Sequence, residues 1–429
     1  MIPIASSDCD VTTTFIEDWI AHLHDGGAES PSLVRFFDGP DDAIAFMSGT
    51  PSPKKRQKST HEDLADPDAT PRMPPGLTAH GFAHSSADDT SNDTISTSDA
   101  ASVSNASSRR TGSISPKKRE TALRLAVERP LHRDNIANFA EPTQLMVDLA
   151  SLGSGPLIPV TVKDCMKRDS GWAHPPQDSW FRHSPDNTPG ADSYEDELYV
   201  YRRLKTVRNN TMRCKARMEH EAGWNDGVHA PLLEIALANE SGITYRNITA
   251  CRVLSPFRES DPFLTDAKVD YAVFLDPIEA DCTLAASVRA YCEPNPRERV
   301  VCHVQLPDNA PTPAVIPIET KSANADGVLG PVQLATWTRA QFRLLASFPS
   351  ATALPIIPVI FVHGANWRVD FAQQTHHNQI MWEGFSMGSS DDLYGCYKII
   401  AFLRRLLRWS REDYSSWVEQ ALRIPDSQT

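Results

Sequence analysis

The sequence lacks a secretory start, a membrane-length apolar run and any paired-cysteine motif. Met1 to Thr14 has no basic stretch leading into a long apolar one, so no signal peptide is expected. The longest apolar run, around residues 356–362, is far too short to cross a bilayer and reads as a buried strand. The eight cysteines are scattered, with no CxxC. That excludes a disulfide framework and fits reduced thiols in an intracellular chain. Cys302-His303 and His376-His377 have no partner pair at zinc-finger or zinc-ribbon spacing, so a zinc site is not expected. Gly384-Phe385-Ser386-Met387-Gly388 has the spacing of a hydrolase nucleophile elbow, but no histidine follows Ser386 to complete a triad.

A strong positive charge is lacking too. The formal net charge is −13, and most of that acidity sits in residues 1–50. Residues 196–429 are nearly balanced, which leaves a nucleic-acid partner open without advertising one. Residues 50–119 hold few large apolar side chains among much Ser, Thr, Asp and Pro. Such a composition buries too little surface to offset chain entropy, so this linker is expected to be disordered. Before it, residues 1–49 form an acidic segment with one helical pattern (Val11, Phe15, Trp19, Leu23). After it, residues 120–425 are expected to form one domain, its core at about 196–375 and its C-terminal helices within 391–422.

Two basic clusters mark the linker: Lys54-Lys55-Arg56 and Lys117-Lys118-Arg119, each behind a Ser-Pro step. Both have the character of nuclear-import signals, which implies an import receptor as partner and a nuclear location. A third basic run, Arg202, Arg203, Lys205, Arg208, Arg213, Lys215 and Arg217, lies on a long helical stretch without an acid among them. It is either a phosphate-contacting face or a solvated one.

The chemistry concentrates further on. Val315-Ile316-Pro317-Ile318-Glu319-Thr320-Lys321 is an apolar run ending in an acid and a base two positions apart. On a strand those two side chains share a face. A second strand-like run, residues 268–275, has Asp270 near its start. If the two runs pair antiparallel, Asp270, Glu319 and Lys321 converge. Paired carboxylates suit Mg²⁺, with Mn²⁺ as a substitute, and a neighbouring lysine can position an attacking water. The Thr320 carbonyl adds a possible further ligand. The elements around this pair read, in order, helix, strands at 248–254, 268–275 and 314–321, a helix over about 331–348, and strands at 356–362 and 367–372. Residues 276–313 read as an exposed insertion.

This arrangement resembles the PD-(D/E)xK nuclease superfamily. Val269-Asp270-Tyr271 resembles its first motif and Ile318-Glu319-Thr320-Lys321 its ExK motif, although Val269 stands where that family often has proline. Gln333 with Trp337 resembles the Q-x-x-x-Y element of exonuclease branches. Over roughly residues 140–425 the chain is similar to a group of fungal PD-(D/E)xK nuclease-like proteins. The matching stretches include Glu221-Ala222-Gly223-Trp224-Asn225 through His229-Ala230-Pro231, and Pro358 to Gly364 followed by Trp367. The resemblance implies an α/β fold with a restriction-endonuclease-like αβββαβ core, a mixed central sheet flanked by helices. It also implies metal-dependent cleavage of DNA. It makes Gln333 a site residue and Glu221 a further acid, able to hold a metal or a water, with Glu234 as its rival. The competing expectation is an idle nuclease fold that binds nucleic acid or a protein.

Overall fold

The structure, a computed structural model, describes residues 115–169, 176–182, 191–264, 267–277 and 282–425. The helix expected over residues 11–24, the linker up to residue 114 and the Lys54-Lys55-Arg56 cluster lie outside these residues.

Helix α1 (Pro116–Arg124) leads into strand β1 (Leu131–Asn135) and helix α2 (Gln144–Ser151). The long helix α3 (Ala191–Arg217) comes next. A composite helix follows: α4 (Glu221–Trp224), a π-turn (Asn225–His229) and α5 (Ala230–Leu237). Then come β2 (Ile243–Asn247), β3 (Tyr271–Leu275), α6 (Cys282–Cys292) and β4 (Ala314–Lys321). Helix α7 (Leu329–Ala346), strands β5 (Ile357–His363), β6 (Asn366–Gln374) and β7 (Gln379–Ser389), and helices α8 (Leu393–Trp409) and α9 (Ser415–Ala421) complete the order.

Seven strands form one mixed sheet in the order β1-β7-β6-β5-β4-β3-β2. Strand β4 runs antiparallel to β3 and parallel to β5. Every residue of β4 is buried. A strand covered on both faces loses the in–out alternation of a half-exposed one, which is why residues 314–318 are apolar throughout. Helix α7 packs against β4 and β5, and α8 packs against β7 and α5. Asp392 starts α8 by accepting a hydrogen bond from the Gly395 N–H, and Leu393, Cys396, Ile400, Leu403 and Leu407 bury its apolar stripe. Trp224, Trp337 and Trp367 are fully buried in the core, and Trp382 and Trp409 are buried as well. None of the five is placed as a base-stacking platform. No helix among the described residues is long and apolar enough to cross a membrane.

The αβββαβ order and the antiparallel pairing of β3 with β4 are as the sequence implied; several boundaries are not. The first core strand is β2, not residues 248–254. Ile243–Asn247 pairs along β3, while Ile248 and Cys251 are buried in a turn and Arg252–Val253 pairs only with Val304–Gln305. The stretch 276–313 is no exposed excursion. It contains α6, which packs on α9, and it buries Val301, Cys302, His303 and Val304. The sheet also exceeds the expected core. Strand β7 continues it beyond residue 375, and β1 extends it by pairing parallel to β7. Finally, the boundary expected at residue 120 falls inside α1. Pro116 sits in its first turn, where a missing N–H costs nothing, and Leu123 is fully buried. Lys117, Lys118 and Arg119 are therefore helical, not part of an extended linker.

Candidate active site

Lys321 ends β4 and Asp270 immediately precedes β3. The last paired residues of the two strands are Tyr271 and Ile318, so Asp270 and Glu319 are the next positions outward. On β4 the two-residue spacing brings the Lys321 ammonium to 2.6 Å from Glu319 Oε1. The composite helix supplies Glu221, whose Oε2 accepts a hydrogen bond from Lys321 Nζ at 3.1 Å. Glu234, the rival acid, is ion-paired with Arg203 and takes no part. Asp270, Glu319 and Lys321 are buried, while Glu221 is partly open to solvent.

The Asp270 carboxylate is held through one oxygen. Oδ2 accepts from both the backbone N–H and the hydroxyl of Thr320, each at 2.8 Å. Two donors on one oxygen fix the orientation of the carboxylate. Thr320 was expected to offer its carbonyl as a ligand. That carbonyl instead accepts from Lys321 Nζ at 2.8 Å, and the amide and hydroxyl are the groups that serve the site.

Glu319 is in the opposite situation. The Lys321 ammonium, 2.6 Å from Oε1, is its one close polar partner among the described residues, and Oε2 is buried without a hydrogen-bond donor. Burial pushes its carboxyl well above the usual range, Asp270 and Glu221 add to that, and Lys321 opposes it. Burial also raises Glu221, with Asp270 adding and Lys321 opposing. For Lys321 burial acts downward, but the surrounding carboxylates outweigh it and hold the ammonium charged.

Three carboxylates thus share one ammonium. When all are ionised, two negative charges remain uncompensated, and Glu319 has one buried oxygen without a hydrogen-bond donor. Hard oxygen donors with that deficit suit a hard divalent cation. Among the described residues no three His, Cys, Asp or Glu side chains are grouped so as to cage a metal by themselves. Any ion held here would take its remaining ligands from water and substrate oxygens.

Gln333 does not touch the carboxylates. Its Nε2 donates to the Lys268 carbonyl at 2.9 Å, tying α7 to the backbone two residues before Asp270. Trp337 stands edge-on to His303 at 4.9 Å, in the core. The basic run on α3 is also only partly available. Arg203 pairs with Glu234, Lys205 with Asp169 and Lys215 with Asp391, and Arg208 is engaged as well. Arg202, Arg213 and Arg217 are exposed and have no ion pair among the described residues.

Asn225 and His229 were not singled out for a role. The Asn225 side-chain amide lies 2.8 Å from the Thr320 hydroxyl, and His229 lies 2.9 Å from Asn225 and from the Gly364 carbonyl. The available signal was a polar pair four residues apart on a helical stretch otherwise filled by Trp224, Val228 and Leu232.

A family model described as the PD-(D/E)XK nuclease superfamily matches residues 166–415. Among curated proteins and solved structures nothing matches.

Proposed function

This chain belongs to the PD-(D/E)XK nuclease superfamily, and from that premise we propose that it is a metal-dependent phosphodiester hydrolase acting on DNA. The observation that supports this reading is the site's charge deficit. Three acids and one lysine meet at the end of β4, and Glu319 is buried there with Oε2 lacking a hydrogen-bond donor.

Asp270 and Glu319 would hold the ion, Mg²⁺ in the first instance. When bound it would neutralise charge developing on the phosphate and sharpen a water as nucleophile. The protein's own groups do the rest. Thr320 keeps Asp270 turned inward. Lys321 is charged, so it is not the general base; its ammonium orients the water and faces the charge that builds on the phosphate. Glu221 keeps that ammonium in place from the helix side. Arg202, Arg213 and Arg217 supply free guanidinium groups for the nucleic-acid backbone. Nuclear import remains part of the proposal. It rests on Lys54-Lys55-Arg56 more than on the helical Lys117-Lys118-Arg119, since an import receptor reads an extended segment.

The purified full chain is incubated with single- and double-stranded DNA under Mg²⁺, Mn²⁺ or EDTA, beside Lys321→Ala. Cleavage that needs metal and is lost in Lys321→Ala is the expected result. Binding without cleavage in every condition overturns the enzyme and leaves a binding protein.

A further inference from the structure

We infer that His229, Asn225 and Thr320 form a buried positioning relay that aims the Asp270 carboxylate, running from the Gly364 carbonyl to Asp270 Oδ2. The inference rests on the proposed role of Asp270 as a metal holder, but the relay itself is a matter of hydrogen-bond direction.

The direction follows from what each group can donate. The Gly364 carbonyl only accepts, so His229 Nε2, 2.9 Å away, must carry a proton. His229 is fully buried, with its ring near-parallel to Trp224 at 5.9 Å and edge-on to Trp367 at 5.8 Å. Burial pushes its pKa down to about 4, with the Gly364 contact only partly offsetting it. At neutral pH the ring is therefore uncharged and Nδ1 is a bare acceptor. The Asn225 side chain 2.9 Å from Nδ1 must then donate. Its oxygen and nitrogen are told apart only by such bonds, so the NH₂ group faces His229 and Thr320. Given an NH₂ from Asn225, the Thr320 hydroxyl accepts there and has one direction left for its proton, Asp270 Oδ2 at 2.8 Å. Each member settles the next.

The geometry of the chain supports this. Asn225 and His229 bracket the π-turn, an irregularity that brings both polar groups to the same side. Gly364 sits in the β5–β6 turn with φ of +55°, and its N–H donates to the Lys321 carbonyl at 2.7 Å. The relay thus closes a ring from the end of β4, through the turn, back to the residue beside Lys321. Its product is an Asp270 carboxylate with Oδ2 occupied by two donors and Oδ1 left for a cation.

The test uses the full chain and Mn²⁺ as the probe. Nitrogen-15 NMR of the histidine rings at neutral pH reads the tautomer directly. His229 is expected protonated at Nε2 and bare at Nδ1, and an Nδ1–H or doubly protonated ring overturns the relay. Asn225→Asp keeps the shape but removes the donor, so Thr320 turns its proton toward residue 225. Its Mn²⁺ affinity should fall about tenfold or more, as for other supports of metal-holding groups. Thr320→Val should lose affinity similarly, Thr320→Ser should keep it, and thermal unfolding confirms that each variant folds. Equal affinity in Thr320→Val and wild type overturns the relay. A wild type that binds no Mn²⁺ sinks the metal reading instead, and the ring tautomer then decides the relay alone.

Discussion

At the scale of single residues the site is a problem of charge balance. Glu319 was legible because an acid and a base two apart on a strand must share a face. That its Oε2 is left without a hydrogen-bond donor was not legible, since that depends on which side chains folding brings around it. Gln333 lies on its expected helix, but a motif does not say whether a side chain reaches the reacting groups or the backbone behind them, and here it reaches the Lys268 carbonyl. The charge balance has a thermodynamic consequence. The folded state raises the Glu319 carboxyl above about 4.5, its ordinary value, so between that pH and its folded value the folded chain holds a proton that the unfolded chain has lost. Its contribution to stability is therefore complete below about pH 4.5 and is lost as pH rises through the folded value. In EDTA, Glu319→Gln should melt above wild type at pH 7–8, with the gap closing toward pH 4. Added Mg²⁺ or Mn²⁺ should reverse the order. Saturating an ion about a hundredfold above its Kd stabilises wild type by about 2.7 kcal/mol, and the amide gains less. Melting curves across pH with and without the ion check this. A wild type more stable than the variant in EDTA at pH 8 contradicts the assigned burial of charge.

At the scale of elements, strands with unbroken apolar runs announced themselves and interrupted ones did not. Strands β4 and β5 were found because both faces are covered. Strand β7 was missed because Gly384 and Gly388 break its pattern, and the register with β6 shifts on either side of Arg368–Val369. Those glycines, which mimic an esterase elbow, answer to backbone proximity. A Cβ on Gly384 would lie 2.2 Å from the Val369 carbonyl oxygen. The same pressure acts at the junction of β7 with α8. A Cβ on Gly395 would lie 2.0 Å from the Ser389 carbonyl oxygen and 2.9 Å from its nitrogen. Both atoms are backbone, so neither can rotate away as a side chain would. Gly395→Ala should therefore push the first turn of α8 off the end of β7 and cost about 2–3 kcal/mol, at the upper end for overpacking. Urea denaturation should show a lower midpoint with the slope little changed. A shift of under about 0.5 kcal/mol, the usual range for surface sites, would mean the two elements are not in contact there.

At the scale of the whole molecule, a net charge of −13 and a nucleic-acid substrate pull in opposite directions. The sequence counts seven bases along α3 but does not say which are neutralised, because their partners Asp169, Glu234 and Asp391 come from elsewhere in the chain. Folding divides the run into two kinds. Lys205 and Lys215 already face a carboxylate at 2.7 and 2.5 Å, so a phosphate arriving there must compete with it. Arg213 and Arg217 are exposed, one helical turn apart, in the last turns of α3 before Glu221. If duplex DNA follows that end of the helix into the site, these two are its phosphate contacts. Each phosphate neutralised contributes about −0.9 to the slope of log K against log salt. In a Lys321→Ala background, which binds without cutting, Arg213→Ala and Arg217→Ala should each flatten the slope by about that amount. Lys205→Ala and Lys215→Ala should change it less, because each ammonium already has a carboxylate partner that a phosphate would have to displace. Fluorescence anisotropy of a labelled duplex across salt concentrations measures all four. If none of the four changes the slope, the nucleic acid runs along another face, and α3 is a solvated helix with no part in binding.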